Sequence, residues 1–478
     1  MQETATTIAH HADQERRLEA LIAQLRRIEP FELRGEVSAC QGSSLICRGL
    51  HHHLGIGDIC TVDRPAMTGG GRRGDADGDP LLAEVMALDD QGAVLLPFEE
   101  LDGVGLGATV RLSRGHAVVR PGPGWLGRVI DPLGRPLDQG PPLDDGPIDY
   151  PVQARAIAAH RRRDLGERLD LGVRALNLFA PCRRGQRLGI FAGTGVGKTT
   201  LLSMLAQHSG ADALVLGLIG ERGRELHGFL HGGLGQRARE RSVVVVATSD
   251  MPAMQRRRAA QTTMAVAEAL RDQGLSVLCL IDSVTRYAMA LREIYLAAGE
   301  PPTSKGYPPS VFSELPRLLE RAGPGEGEGS ITGLFTVLVE GDDLNDPIAD
   351  AVRGILDGHV VLDRRIAEQG RFPAIDVLKS LSRTAPGCYA PEERPLVEEA
   401  RRLLRVHEDA AELIQLGAYK PGTDPLTDRA IEMRPGLEEL LKQDEGERCR
   451  SDADFSRLAE MLRGTASQTA PLEAADGS

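Results

Sequence analysis

The sequence predicts a three-part molecule. An α/β core with a parallel sheet and a glycine-rich phosphate loop is preceded by a small N-terminal β-barrel and followed by an α-helical C-terminal domain. Three observations carry this. Phe191-Ala-Gly-Thr-Gly-Val-Gly-Lys-Thr-Thr200 runs from an apolar segment into a helix-compatible one. From about 151 to 385, apolar runs alternate with helical patterns, as strands covered on both faces by helices do. Outside that region the pattern changes: short strands and Gly/Asp turns before 112, and no strand signal after Pro391.

Residues 12–28 place Leu18, Leu21, Ile22, Leu25 and Ile28 on one helical face. That face suits packing on its own domain and docking to a partner helix equally well. Strand-like segments at 34–38, 44–47, 58–62, 82–86 and 93–96 have the spacing of a small barrel. The loop at 68–80 carries an Asp-x-Asp-x-Asp run. It does not complete a calcium loop, because Pro80 follows and Met86 stands where the closing glutamate belongs. Residues 121–150 are rich in Pro and Gly and read as a linker to the core. Core strands are expected at 187–192, 213–219, 243–248, 276–281, 331–339 and 358–362, and Leu396 to Met461 reads as helical. The expected domains are 1–30 (a partner-docking helix), 31–115 (barrel), 116–390 (core) and 391–478 (helical).

The bulk properties narrow the function. A net charge of −13 and 3% aromatic residues disfavour a nucleic-acid surface, which needs basic grooves and stacking rings. The runs Arg161-Arg-Arg163 and Arg256-Arg-Arg258 are more often solvated faces than binding sites. Seven scattered cysteines without a CxxC pair point to reduced thiols rather than disulfides or a zinc site. His51-His-His53 lacks the partner ligands of a metal site. No apolar run reaches the length of a membrane span, and the N-terminus lacks a signal-peptide core, so a cytoplasmic protein is expected.

The chemistry concentrates around the phosphate loop. Glycines let the loop turn tightly, so that the N–H groups of Gly195, Val196, Gly197 and Lys198 can face phosphate oxygens, with Gly193 and Thr194 in the same nucleotide-binding loop. Lys198 is placed to reach the β- and γ-phosphates of a nucleoside triphosphate, and the hydroxyl of Thr199, beside Thr200, to ligate Mg²⁺. Ala192 stands where the strict pattern wants Gly. Asp282 ends the apolar strand Ser276-Val-Leu-Cys-Leu-Ile-Asp282. Ligands of open parallel sheets bind at the carboxyl ends of strands, so Asp282 is expected to hold Mg²⁺, directly or through water. Glu221 follows a second strand and is placed to polarise an attacking water, with Arg222 near the phosphates. Capping a helix dipole fits Glu225 better than Glu221. Phe372, stiffened by Pro373, is a stacking platform for adenine. Arg383 closes a Ser-rich turn and can serve a neighbouring subunit's phosphate or make an ordinary interface ion pair.

Together, the loop, Glu221-Arg222, Asp282 and Pro373-Ala-Ile-Asp-Val-Leu-Lys-Ser-Leu-Ser382 resemble the catalytic subunit of rotary ATP synthases over residues 30–440. Within that family, Lys305–Gly323 and Gly341–Asp350 are similar to the ATPases of type III protein export, where alanine at the position of Ala192 is usual. Leu416–Pro425 resembles the flagellar branch more than the virulence branch. The resemblance implies a RecA-like core that hydrolyses ATP with Mg²⁺. It assigns Glu221 as catalytic carboxylate, Arg222 and Arg286 near the phosphates, Arg383 as a finger given in trans, and Phe372 and Tyr419 at adenine. It further implies a homohexamer, a stator-like regulatory subunit on the N-terminal helix, export chaperone–substrate complexes on the C-terminal helices, and peripheral association with the inner membrane at the export gate. An injectisome ATPase, a Rho-like RNA translocase and a non-catalytic ring subunit are the alternatives.

Overall fold

The computed structural model describes residues 33–64, 80–113, 117–339 and 346–464. The expected helix at 12–28, nearly all of the 68–80 loop, residues 340–345 and the tail after 464 lie outside them. The chain divides after residue 114 into two compact units.

The first unit is a closed six-stranded barrel. Its strands are β1 (Arg34–Gln41), β2 (Ser44–Arg48), β3 (Ile59–Val62), β4 (Leu81–Asp89), β5 (Gly92–Pro97) and β6 (Thr109–Leu112), in the order β1-β2-β5-β4-β3-β6. Alternation puts Leu45, Cys47, Val62, Ala83, Val85 and Leu95 inside. The sequence reading missed β6. This strand is only four residues long, with Val110 alone fully buried, yet it pairs with both β1 and β3 and so closes the barrel.

The second unit opens with β7 (Val118–Pro121), β8 (Val129–Ile130) and β9 (Asp145–Pro151). These correct the linker expected at 121–150: β7 and β9 pair as a ribbon, and β8 is the edge strand of the main sheet beside Val244 and Val245. The Pro- and Gly-rich composition marks the turns between these strands. The short strands β10 (Arg168–Leu169) and β11 (Cys182–Arg183) pair around helix α1 (Arg174–Phe179).

The core then runs β12 (Arg187–Ala192), α2 (Lys198–His208), β13 (Ala213–Glu221), α3 (Gly223–Gly228), α4 (Gln236–Glu240), β14 (Ser242–Thr248), α5 (Ala253–Asp272), β15 (Ser276–Asp282), α6 (Val284–Ala297) and α7 (Pro309–Leu319). It continues with β16 (Gly323–Pro324), β17 (Ser330–Leu338), α8 (Pro347–Ile355), β18 (Gly358–Leu362), α9 (Arg364–Glu368) and β19 (Ile375–Ser382). The sheet order is β19-β18-β12-β17-β15-β13-β14-β8, parallel except for β19, with β16 hydrogen-bonded to β17 off that path. All six expected core strands are present, with ends shifted by two residues at most. Besides β8 and the short β16, the sheet gains β19, which arises where the sequence suggested a stiff segment and a turn.

The strands' period of two sorts their side chains onto two faces. Leu214, Leu216 and Leu218 face the layer holding Leu201 and Leu205 of α2. Ala213, Val215 and Ile219 face the layer holding Met264 of α5 and Leu291 of α6. Three helices, α10 (Glu393–Gln415), α11 (Pro425–Leu441) and α12 (Ser451–Gly464), are the last elements among the described residues and pack in the first layer through Leu403, Leu437 and Leu458. Two strands, β17 and β15, separate β12 from β13, although β13 follows β12 in the chain. Consecutive elements thereby diverge across a crevice at the carboxyl ends of the strands.

Candidate active site

The crevice is built where β12 ends. Ala192 is still strand, paired with Leu338 and Leu362, so its place needs no glycine. The chain then turns through Gly195 (φ 78°) and Gly197 (φ 88°), left-handed conformations that glycine adopts without penalty. Val196, 1% exposed, anchors the loop in the core. Gly197 is the N-cap of α2, with no side-chain cap and no acidic residue in the first turn. The N–H groups of that turn have no intrahelical acceptor and form an anion site. Arg364 Nη2 holds the loop from outside by donating to the Thr194 carbonyl at 3.1 Å.

Three charged side chains from three elements meet beside the loop. Lys198 Nζ lies 3.1 Å from Glu221 Oε1 at the end of β13 and 2.5 Å from Asp282 Oδ1 at the end of β15. The side chains are 12%, 15% and 7% exposed respectively, so the group sits in a poorly solvated environment. Burial opposes the charge on Lys198, but Asp282 and Glu221 outweigh it and raise its pKa above the usual lysine value. Glu221 is pushed above the usual glutamate value, by burial first; Lys198 offsets this in part, while Asp282 adds like-charge repulsion. Asp282 also accepts from Thr336 Oγ1 at 2.6 Å. Sequence reasoning missed that buried threonine; its only signal was a hydroxyl at a fully buried position of an apolar strand.

Arg286 enters through α6. Ser283 caps this helix, its Oγ accepting from the Arg286 N–H at 3.2 Å. The Arg286 stem packs over Gly220, where an added Cβ would stand 3.0 Å from the Arg286 Cβ. That glycine, with φ 69°, makes room for the arginine directly before Glu221. Arg286 Nε is buried without a hydrogen-bond partner among the described residues. Phe372 lies against the loop, its Cδ1 3.4 Å from where a Cβ on Gly197 would be, and it is 43% exposed. Thr199 and Thr200 are on the first turn of α2, in a cleft shared with Ser203, Glu225 and the segment Glu445–Gly446.

Three expected residues stand apart. The Arg222 side chain is 81% exposed and pairs with Glu225, at 3.7 Å. The Tyr419 hydroxyl is engaged locally, with Asp428 Oδ1 at 2.9 Å and the Asp424 carbonyl at 3.1 Å. The C-terminal wall of the cleft is Glu445 and Gly446 instead. Arg383 is exposed at the other end of the sheet, where its N–H donates to the Asp357 carbonyl at 2.9 Å. Asp357 in turn binds Arg187, the first residue of β12, at 3.1 Å.

The donor set suits a triphosphate carried with a hard divalent cation. It offers a turn of N–H groups, one lysine, a guanidinium with an orphaned nitrogen, and oxygen ligands from a hydroxyl and a carboxylate. Among the described residues no group of three or more His, Cys, Asp or Glu side chains could hold a metal by itself. The cation would therefore depend on phosphate and water oxygens as well.

A parallel sheet with a phosphate loop, a lysine and two strand-end carboxylates defines a P-loop nucleotide hydrolase. Residues 172–382 match the ATP synthase alpha/beta family nucleotide-binding domain, and 389–460 match the T3SS EscN ATPase C-terminal domain. The chain is 52% identical over 452 residues to a flagellum-specific ATP synthase of Caulobacter vibrioides, covering 93% of this chain and 99% of that one. It is 48% identical over 381 residues to the SPI-2 type 3 secretion system ATPase of Salmonella typhimurium, covering 80% and 87%. The assembled ATPase EscN of enteropathogenic E. coli superposes with a TM-score of 0.81 at 39% identity, over 90% of this chain and all of that one. The chain belongs to the ATP synthase alpha/beta family and is an ATPase of its type III export branch, in which the flagellar members fit it best. Among the described residues no helix is long and apolar enough to cross a membrane.

Proposed function

We propose that this chain hydrolyses ATP in a homohexameric ring and so powers type III export of flagellar proteins across the inner membrane. The observation that carries the reading is Lys198 held between Glu221 and Asp282 beside an uncapped helix start. The loop N–H groups and Lys198 bind the phosphates. Thr199 and Asp282 would hold Mg²⁺, directly or through water, and the ion would supply neutralising charge when bound with the nucleotide. Thr336 keeps Asp282 in register. Glu221 orients the attacking water and accepts its hydrogen bond. The Arg286 guanidinium faces charge developing on the transferring group, where a fixed donor in a dry site counts most. Phe372 stacks on the base. Arg222 and Tyr419, as placed, belong to the surface rather than to this set.

Arg383 completes the site of the next protomer. A head-to-tail contact of that kind closes into a ring, and one of the similar structures is EscN in complex with its central stalk EscO. We assign this chain an equivalent stalk. We also assign it a stator-like subunit on the N-terminal segment, chaperone–substrate complexes on the C-terminal helices, and a peripheral place at the export gate. Cells carrying Lys198→Ala should neither swim nor export filament protein. Normal swimming in that strain, or in a deletion strain, would transfer the chain to an injectisome.

A further inference from the structure

The strap of residues 442–450 joins the end of α11 to the start of α12 and crosses close to the phosphate loop. Gln443 within it is 3% exposed. Its N–H donates to the Phe372 carbonyl at 2.9 Å. Its side-chain Oε1 accepts from the Arg174 N–H at 2.8 Å, and Nε2 donates to the Gly172 carbonyl at 2.8 Å and the Glu447 carbonyl at 2.9 Å. One buried residue thus ties the start of α1 to the strap through its side chain, and the strap to the residue whose ring lies on Gly197 through its backbone N–H. The neighbouring residue doubles the tie: Arg371 Nε is 2.8 Å from Glu438 Oε2 on α11. Further along, the Glu445 carbonyl sits 2.8 Å from His208 Nε2 at the end of α2.

We propose that Gln443 is a positioning residue for the nucleotide base. Its side chain pins the strap, the strap's N–H holds the Phe372 carbonyl, and the ring is thereby fixed before the base arrives. The C-terminal helices and the affinity for the base are coupled through Gln443, alongside the Arg371–Glu438 ion pair. The proposal rests on the reading of Phe372 as the base platform. Deleting the amide leaves an N–H and two carbonyls without partners in a buried place. The strap loosens and the pre-organisation of the ring is lost, while Lys198, Glu221 and Asp282 keep their contacts. Losses of that kind fall on binding rather than turnover.

The test uses the full chain with Gln443→Leu and the isosteric Gln443→Glu, which keeps the acceptor for the Arg174 N–H. Each is made alone and with Phe372→Ala, and ATP hydrolysis and competitive inhibition by tripolyphosphate are measured. Each single variant should raise the KM for ATP, by up to about tenfold, with kcat within about twofold; in Gln443→Glu the second carboxylate oxygen faces the Gly172 and Glu447 carbonyls without a proton to donate. Tripolyphosphate, which has no base, should inhibit as before. In the Phe372→Ala background neither variant should raise KM further, because both act through the same ring. An unchanged KM in both single variants, additive effects in the double variants, or equally weakened tripolyphosphate would each overturn the proposal. A Phe372→Ala enzyme with unaltered KM would instead remove the base platform itself.

Discussion

Arg383 permits a test in which geometry alone sets the expectation. The register of β18 with β12 and β19 places Ser382 beside Gly358, level with the start of β12. The phosphate loop begins at the other end of that strand, beyond Ala192. Six strand residues at about 3.3 Å each put roughly 20 Å between them, and an extended arginine side chain spans only about 7 Å. Arg383 cannot serve its own chain's phosphates, so any catalytic role must be to a neighbour. Removing such a finger costs about 10³–10⁵ in turnover, so Arg383→Ala and Lys198→Ala should each be nearly inactive. Mixed one to one in rings that exchange protomers, about one interface in four pairs an intact Lys198 with an intact Arg383 across a head-to-tail contact. Phosphate release from the mixture should therefore climb toward about a quarter of the unmodified rate, far above the mean of the two parents. A mixture no more active than that mean, or an Arg383→Ala chain with near-normal turnover, would refute the reasoning.

Other expectations follow from the same geometry. Glu221→Gln should bind ATP yet hydrolyse it about 10²–10⁴-fold more slowly in single-turnover assays. Because burial raises the Glu221 pKa, the working carboxylate is lost as pH falls through a value above the ordinary 4.5, and the acid limb of kcat/KM should lie above that value. Thr336→Val removes the donor to the buried Asp282 carboxylate and should weaken Mg²⁺-dependent turnover, with a loss of about 1.5–3 kcal/mol in denaturant melts. Arg174, 2% exposed, pairs with Asp454, whose side chain is 3% exposed, and with Glu447. Arg174→Met strands the buried Asp454 carboxylate and should cost about 3–5 kcal/mol of stability by the same melts.

Much of this molecule was legible in its sequence, because several of its signals are local. The phosphate loop needs glycine where φ is positive, and Gly195 and Gly197 stand at those turns. The apolar runs of β12, β13, β15 and β17 report strands buried on both faces, and β12, β13 and β15 each announce their own end with a loop or a carboxylate. Lys198, Glu221 and Asp282 could be placed together from the rule that ligands gather at strand ends. What the chain could not announce were pairings between distant segments. Whether Thr109–Leu112 closes a barrel, or Val129–Ile130 extends a sheet, depends on partners far along the chain that leave no trace in four or two residues.

The same division runs through the site. Residue type and spacing by themselves determined a nucleotide cradle, because backbone conformation and short-range periodicity are properties of neighbouring residues. Only the tertiary structure decided that Thr336 steadies Asp282, that Arg222 faces solvent, and that Gln443 rather than Tyr419 carries the C-terminal region to Phe372. The ties to Asp282 and Phe372 span tens of residues of chain, made by buried polar groups that must find a partner wherever packing provides one.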